Sequence, residues 1–507
     1  MKQEHLSIID RGGALLAMAA TFFAWNALSV GRAEALAEAP PRPVIAIESV
    51  AVVDVMRGEI VGPLTVLIVD GRIAAIGEPG AVALPPAAVR VDGREHYLMP
   101  GLVDMHVHLF NNATHRPPNE WAFPLFVANG VTAVREMGAV PVNMPTITQW
   151  RAAVERGELI APRVLAAGMP VLADSPDAVR QLVREAHAAG ANFVKVFSGV
   201  RESHWRALLD EARAQSMPVC GHVPADVSLL TAATAGQRSN EHLTQIYEAC
   251  SAREQEFLSA RHGLGGAEVV RLRDSQEREV LKSFDQPVCD RTAAALAKTK
   301  QVQVPTLVLP HFEARGERVK FRADPHWRCL RADEQARWEH YLEQEPALEK
   351  KLAAQRWDVS RQIVKALHAA SVPILAGTDA PMPLVYPGFS LHKELELLVE
   401  SGLSPAEALR AATLGPAEFL GLSENTGSIA VGKRADLVLL DANPLRQINN
   451  TQRIRAVVLN GGLLRRTDLD ALLDGAAGDS SRRAALNARQ VVLHTSERTE
   501  AGISPEP

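Results

Sequence analysis

Between residues 99 and 425, short apolar runs alternate with longer stretches of helical pattern, and the runs number eight. They are Leu102–His106, Val131–Arg135, Arg163–Ala167, Phe193–Phe197, Pro218–His222, Ser239–His242, Val302–Val308 and Pro373–Thr378. A continuous apolar run suits a strand buried on both faces, and a helix between two runs returns the chain to lay the next strand parallel. Eight such units predict an α/β fold, a TIM-like (β/α)8 barrel over 99–425. At 507 residues the chain has room for that barrel and a smaller second domain.

The flanks have a different texture. Ile45–Asp54 and Leu64–Val69 are β-branched runs followed by the turn signal Asp70-Gly71, and similar runs return at Ala435–Leu440 and Ile454–Leu459 before Asn460-Gly461. Two connections inside the barrel region, about 248–300 and 313–370, exceed ordinary loop lengths and carry charged, helix-like patterns. Insertions of this kind on the top face of a barrel form lids or specificity walls. Ser404, Pro405 and Glu407 read as an N-cap, an N1 proline and the acid of a capping box. Residues 471–507 have little apolar content and are expected to form a mobile tail.

Residues 1–39 stand apart. Ala14–Trp25 is an apolar run of signal-peptide length, followed by alanines at 33, 35, 37 and 39 that suit A-x-A cleavage. Export to a periplasm or to the medium is the expectation; the alternative is an uncleaved segment that anchors the protein to a membrane. The net charge of −5 and the absence of a basic stripe exclude nucleic acid as a partner. A homo-oligomer is compatible with the chain. The four cysteines share no C-x-x-C spacing, so a structural zinc cluster is not expected. Cys250 and Cys289 both lie in the first insertion and could staple it in an oxidising compartment; two unpaired buried thiols are the equal alternative.

Active sites of (β/α)8 barrels lie at the C-terminal strand ends. The first run ends in His106-Val-His108, whose imidazoles share a face in a strand. Chance alone gives roughly half an H-x-H in a chain with 16 histidines, so the pair means little by itself. It gains weight because His222 ends the fifth run, His242 the sixth, and Asp379 follows the eighth. Lys195 interrupts a strand that should be buried on both faces, where a lysine is costly unless paired. N-carboxylation by carbon dioxide would convert it to a carboxylate able to bridge two metal ions.

The order H-x-H, Lys, His, His, Asp resembles the metal-dependent amidohydrolase superfamily. Gly130–Gly138, Pro162–Gly168, Ala376–Ala380, His392–Leu395 and Gly427–Asp441 are similar to its imidazolonepropionase-related branch. The resemblance runs from about Val44 to Leu464. It implies that 40–98 and 426–470 form a composite β-sandwich beside the barrel. It also implies that His106, His108 and Asp379 bind one metal, His222 and His242 a second, and carboxylated Lys195 bridges them. Imidazolonepropionase itself uses a single metal and lacks this lysine, so Lys195 points to the two-metal Xaa-Pro dipeptidase-like and carboxypeptidase-like members.

Nitrogen and oxygen donors with a bridging carboxylate suit two Zn²⁺ ions, with Mn²⁺ or Co²⁺ as alternatives. Such a pair lowers the pKa of a bridging water to give hydroxide near neutral pH. Asp379 is the expected general base and then acid. The implied reaction is hydrolysis of the C–N bond of dipeptides or N-acyl amino acids. Alternatives are a cyclic amide, lactone or other ester hydrolase at the same site, or an inactive binding or scaffold homologue, against which the intact ligand set argues. Tyr247, five residues beyond His242, is a candidate oxyanion donor, and His311, after the seventh run, a candidate to face the substrate. His115 and Arg116, in the loop after the first run, read as a solvated pair, the alternative being that they meet a substrate carboxylate, and Cys220 reads as a small apolar filler.

Overall fold

The computed structural model describes residues 42–110, 117–316, 320–344 and 348–476. The described residues begin with five strands: β1 (Ile45–Asp54), β2 (Glu59–Val69), β3 (Arg72–Gly77), β4 (Val89–Asp92) and β5 (Tyr97–Pro100). Seven follow that alternate with helices: β6 (Leu102–Val107), β7 (Val131–Glu136), β8 (Arg163–Pro170), β9 (Phe193–Val196), β10 (Val219–Gly221), β11 (Ser239–Glu241) and β12 (Val302–Val304). Strands β13 (Leu437–Leu440), β14 (Ile454–Leu459) and β15 (Gly462–Arg465) precede a final helix, Arg466–Ala476.

Strands β6 to β10 pair in parallel in chain order, and β11 pairs in parallel with β12. Backbone bonds outside the ladders supply the remaining links. Arg238 N–H donates to the Val219 carbonyl at 2.7 Å, joining β10 to the start of β11, and Leu375 N–H donates to Gln303 at 2.9 Å, joining β12 to segment 373–380. That segment returns to β6 through Met105 N–H to Ala376 O at 3.0 Å and Asp379 N–H to His106 O at 2.7 Å. The linkage that leaves β6 therefore comes back to it.

Two expected strands differ. Segment 373–380, read from sequence as the eighth strand, makes isolated bridges at Ile374 and Ala380 but no ladder. The cause lies in a neighbouring side chain. The Asp104 carboxylate accepts the Thr378 N–H at 3.0 Å and its hydroxyl at 2.6 Å, which occupies a donor that strand pairing would use. The seventh run was expected to continue to Val308, but β12 stops at Val304. Pro305 has no N–H to donate, and a helix begins at Val308.

The two chain ends meet in one hydrogen-bonded sheet of order β15-β14-β13-β5-β1-β2-β3, with β4 pairing Ile45–Glu48 of β1 on the edge that β5 pairs at Ala51 and Val52. The junction is the antiparallel pair β5–β13, where Leu98 lies opposite Leu439. A composite β-sandwich was the expectation for these residues; strands from both flanks of the barrel region share one continuous path of hydrogen bonds. Alternation places Ile45, Ile47, Ile68, Ile73, Leu437 and Val458 in a core separate from the main one.

Both long insertions are helical, with Glu254–Arg261, Gly266–Lys282 and Gln286–Ala297 in the first, and Ala332–Gln344 and Lys350–Ala369 in the second. Asp285 caps the third of these by accepting the Val288 N–H at 2.9 Å. Cys250 and Cys289 form a disulfide with a Cα–Cα separation of 4.1 Å, while Cys220 and Cys329 are buried free thiols. The Ser404 capping box forms, Ser404 N–H donating to Glu407 at 2.7 Å. Residues 471–476 lie within the last helix; the rest of the expected tail, the N-terminal 1–39 and the pair His115 and Arg116 lie outside the described residues. Among the described residues no helix is long and apolar enough to cross a membrane.

Candidate metal centre

The C-terminal ends of the parallel strands bring the histidines together. His106 is fully buried at the end of β6 and His108 follows the strand with its side chain 27% exposed. Asp379 sits between them, its Oδ1 at 3.0 Å from His108 Nε2 and 3.4 Å from His106 Nε2. The His242 ring lies 4.5 Å from the His106 ring and 5.0 Å from that of His222. Lys195, 1% exposed in the middle of β9, places Nζ 3.3 Å from His106 Nε2.

The tightest group is His106, His242 and Asp379, whose ligand atoms all lie within 4.8 Å of one another. That group crosses the division implied by the resemblance, in which His242 belongs with His222. His108 joins it through Asp379, His222 through His242, and Lys195 through His106.

Local backbone geometry serves these positions. His242, Thr306 and Asp379 have φ of 59°, 49° and 71°, a region costly for residues with a Cβ, and such strain concentrates at functional sites. Gly221, at φ 117°, separates Cys220 from His222; a Cβ there would come within 2.5 Å of the Val196 carbonyl and 3.1 Å of Lys195 Cγ. Only glycine lets β10 approach the lysine so closely.

A second tier orients the ligands. Glu241 accepts from His106 Nδ1 at 2.9 Å, from Arg135 Nη2 at 2.9 Å to each oxygen, and from Ser239 Oγ at 2.5 Å. Ser198 Oγ lies 3.1 Å from His222 Nδ1, and Thr306 Oγ1 lies 2.8 Å from His242 Nδ1. Each of the three imidazoles thus has Nδ1 engaged, which leaves Nε2 as the atom that could ligate a metal. Sequence reasoning did not assign Glu241, Arg135, Ser198 or Thr306. One signal was available: Arg135 ends a buried apolar run, the same anomaly that singled out Lys195.

The electrostatics suit a cation. Burial, and then the neighbouring positive groups, push His106 and His222 well below the usual histidine range, and burial takes His242 down to about 4. For His222 those groups include Arg273. Burial alone would raise the Asp379 carboxyl, but His242, His108 and Lys195 outweigh it and hold it at about 2. Burial lowers the Lys195 amine against the pull of Asp379, Glu241 and Glu136. Neutral imidazoles beside an ionised carboxylate form a donor set that fits divalent metal ions.

A cavity of about 380 Å³ opens beside His222 and His242. Tyr247 lines it, with its hydroxyl 2.8 Å from Ser360 Oγ. The far wall comes from the first insertion through Arg273, Glu277, Val280 and Leu281, and from Leu309, Phe312, Arg356 and Leu384. His311 is not among the lining residues. It lies in the helix that starts at Val308, with its ring 5.0 Å from that of Trp357.

Residues 97–464 match the model of the Amidohydrolase family. Over 421 residues, 79% of this chain and 88% of the relative, the sequence is 27% identical to a dihydroorotase of Anaeromyxobacter dehalogenans. An imidazolonepropionase of Rubrobacter xylanophilus is 39% identical over 108 residues, which is 20% of this chain and only 25% of that relative's length. Among solved structures, a bottromycin amidohydrolase superposes with a TM-score of 0.63 at 25% identity, covering 87% of this chain and 93% of its own. A Xaa-Pro dipeptidase with methionine bound in its active site shares the fold, with a TM-score of 0.58 at 19% identity over 83% of this chain and 100% of its own.

Proposed function

The chain belongs to the amidohydrolase family, and on that premise we propose that it hydrolyses the amide bond of dipeptides or N-acyl amino acids at a two-metal centre. His106, His108, Lys195, His222, His242 and Asp379 would hold the metals, with Lys195 as its N-carboxylate, and zinc is the ion that best suits these donors. The observation that carries the reading is the convergence of six side chains beside a cavity, five at or just beyond strand ends and Lys195 within β9. We read the returning linkage of parallel strands as a TIM-like (β/α)8 barrel, the scaffold on which such strand-end sites occur.

When bound, the metals would supply Lewis acidity at the scissile carbonyl and a more acidic attacking water. The chain's own residues supply the rest. Asp379, ionised at neutral pH and beside both members of the H-x-H pair, accepts the proton of that water and passes it to the departing amine nitrogen. Glu241 fixes the orientation of His106 through Nδ1, and Ser198 and Thr306 do the same for His222 and His242. Lys195 presents a buried amine in the neighbourhood of Asp379, Glu241 and Glu136. Reaction of the neutral amine with carbon dioxide releases one proton and leaves a carboxylate among the ligands. The disulfide in the first insertion favours an exported protein in an oxidising compartment.

The test uses full-length protein reconstituted with zinc and bicarbonate. Amine release from a panel of dipeptides and N-acyl amino acids is expected, with about two metal ions per chain by elemental analysis. Protein that carries two metals but cleaves no amide in the panel would refute the reaction, and protein that binds none would refute the site.

A further inference from the structure

The cavity wall contributed by the first insertion is one face of a helix. Arg273, Glu277, Val280 and Leu281 stand at i, i+4, i+7 and i+8 of Gly266–Lys282, and all four line the cavity that also reaches His222 and His242. Three of the charged groups around the cavity are committed. Arg356 is held closely by Glu277, and Glu248 by the buried Arg261 at 2.9 Å. Arg273 differs. Its Nε and Nη2 donate to Asp274, the next residue in the chain, at 3.0 and 2.8 Å, and that carboxylate is 60% exposed. A pair of this kind contributes little and is readily exchanged. Nη1 makes no hydrogen bond among the described residues.

We propose that Arg273 is a specificity residue that binds the free carboxylate of the substrate's leaving amino acid, whose apolar side chain lies along Val280, Leu281, Leu309 and Leu384. This assignment rests on the amide-hydrolase reading above. A guanidinium offers a forked pair of donors that matches a carboxylate, and Nη1 supplies one without disturbing Asp274. Val280, Leu281, Leu309 and Leu384 supply aliphatic surface to the same cavity, so a leucine-like or methionine-like residue would bury its side chain there. Arg273 lines the same cavity as His222 and His242. A carboxylate held at this arginine would leave the preceding amide on the side of the cavity where the histidines lie. The preferred substrates are therefore those with an apolar residue and an unblocked carboxylate on the leaving side, and carboxamides of the same residue are poor.

The experiment measures two quantities on zinc-loaded wild type, Arg273→Met and Arg273→Lys, after equal metal content and matching far-ultraviolet spectra confirm folding. The first is calorimetric binding of free leucine and of leucinamide. The second is kcat and KM for an N-acyl leucine and its carboxamide. Wild type should bind leucine better than leucinamide. Arg273→Met should weaken leucine binding and raise KM for the acid roughly 10–100-fold, the scale of one charge-assisted hydrogen bond, with kcat and the carboxamide values little changed. Arg273→Lys should recover part of the loss. Equal effects on acid and carboxamide, or no effect on either, would overturn the proposal. Equal binding of leucine and leucinamide by wild type would overturn it whether or not the amide is cleaved. A wild type that prefers leucine yet cleaves no amide would uphold the carboxylate subsite and refute the hydrolase reading alone.

Discussion

Replacing Glu241 tests whether the metal centre depends on a carboxylate that touches no substrate. Glu241 and Arg135 are both fully buried, and Glu241 holds His106 Nδ1 at 2.9 Å. Glu241→Gln keeps the shape but leaves the Arg135 guanidinium without its counter-charge. Breaking a buried pair costs about 3–5 kcal/mol. Arg135 keeps other partners, the Met105 carbonyl at 2.6 Å, Ser239 Oγ at 3.2 Å and the Phe193 and Phe419 rings at 5.6 Å, so the lower end of that range applies. Separately, His106 loses a charged partner, and loss of such an outer partner weakens metal affinity by about 10–100-fold. The two effects separate in Glu241→Gln/Arg135→Met. Removing the stranded cation should restore most of the stability of the metal-free protein, measured by urea unfolding. It should not restore zinc affinity, measured by titration against a competing chelator. Wild-type zinc affinity in the single variant would refute the orienting role. Recovery of both quantities in the double variant would show that the damage came only from the buried charge.

Four further outcomes are expected. Lys195→Ala should abolish activity, with partial rescue by short carboxylic acids; full activity without them would remove lysine from the centre. Asp379→Asn should keep most of its metal while kcat falls by about 10²-fold or more, and a near-normal kcat would place the proton acceptor elsewhere. His392, buried between the Asn129 carbonyl at 3.0 Å and Thr451 Oγ1 at 2.9 Å, is pushed by burial down to about 4. The unfolded chain then takes up a proton that the folded one refuses, so stability falls as pH drops from about 6.5 to 4, by up to about 3 kcal/mol; an unfolding free energy whose acid slope is the same in His392→Gln would contradict this. Finally, unreduced denatured protein should titrate two thiols, those of Cys220 and Cys329, and opening the loop between residues 250 and 289 should cost about 4 kcal/mol on the chain-entropy account; four free thiols would exclude the bond.

The strand starts were legible because apolar runs bounded by polar residues survive any tertiary context. Strand ends were less so, since they depend on neighbours. Segment 373–380 lost its ladder to the side chain of Asp104, and β12 ended where Pro305 withdrew a donor. The six candidate ligands were readable because each breaks the pattern of a buried strand or sits at its end. The tier behind them was not, because a glutamate's partner is fixed by which strands the fold brings together, and nothing in Ser239-Asn-Glu241 names Arg135 or His106. The pairing of Leu98 with Leu439 is equally invisible locally, so the joint sheet of the two chain ends could be anticipated in texture but not in register. His311 was read at the end of a strand but lies in a helix that starts at Val308, beside Trp357.

The disulfide has a consequence for how such a chain can change. Its two cysteines bring the feet of the insertion to a Cα–Cα distance of 4.1 Å, and the helices between them carry Arg273, Glu277, Val280 and Leu281 into the cavity. A loop whose ends are tied together exerts no pull on the strands that bear His242 and Thr306, whatever its length, and each doubling of its length adds only about 0.6 kcal/mol of closure entropy. On the function and carboxylate subsite proposed above, the segment can be lengthened, trimmed or re-sequenced as a cassette, with the chemistry on one side of the cavity held constant and the choice of substrate on the other left free to drift.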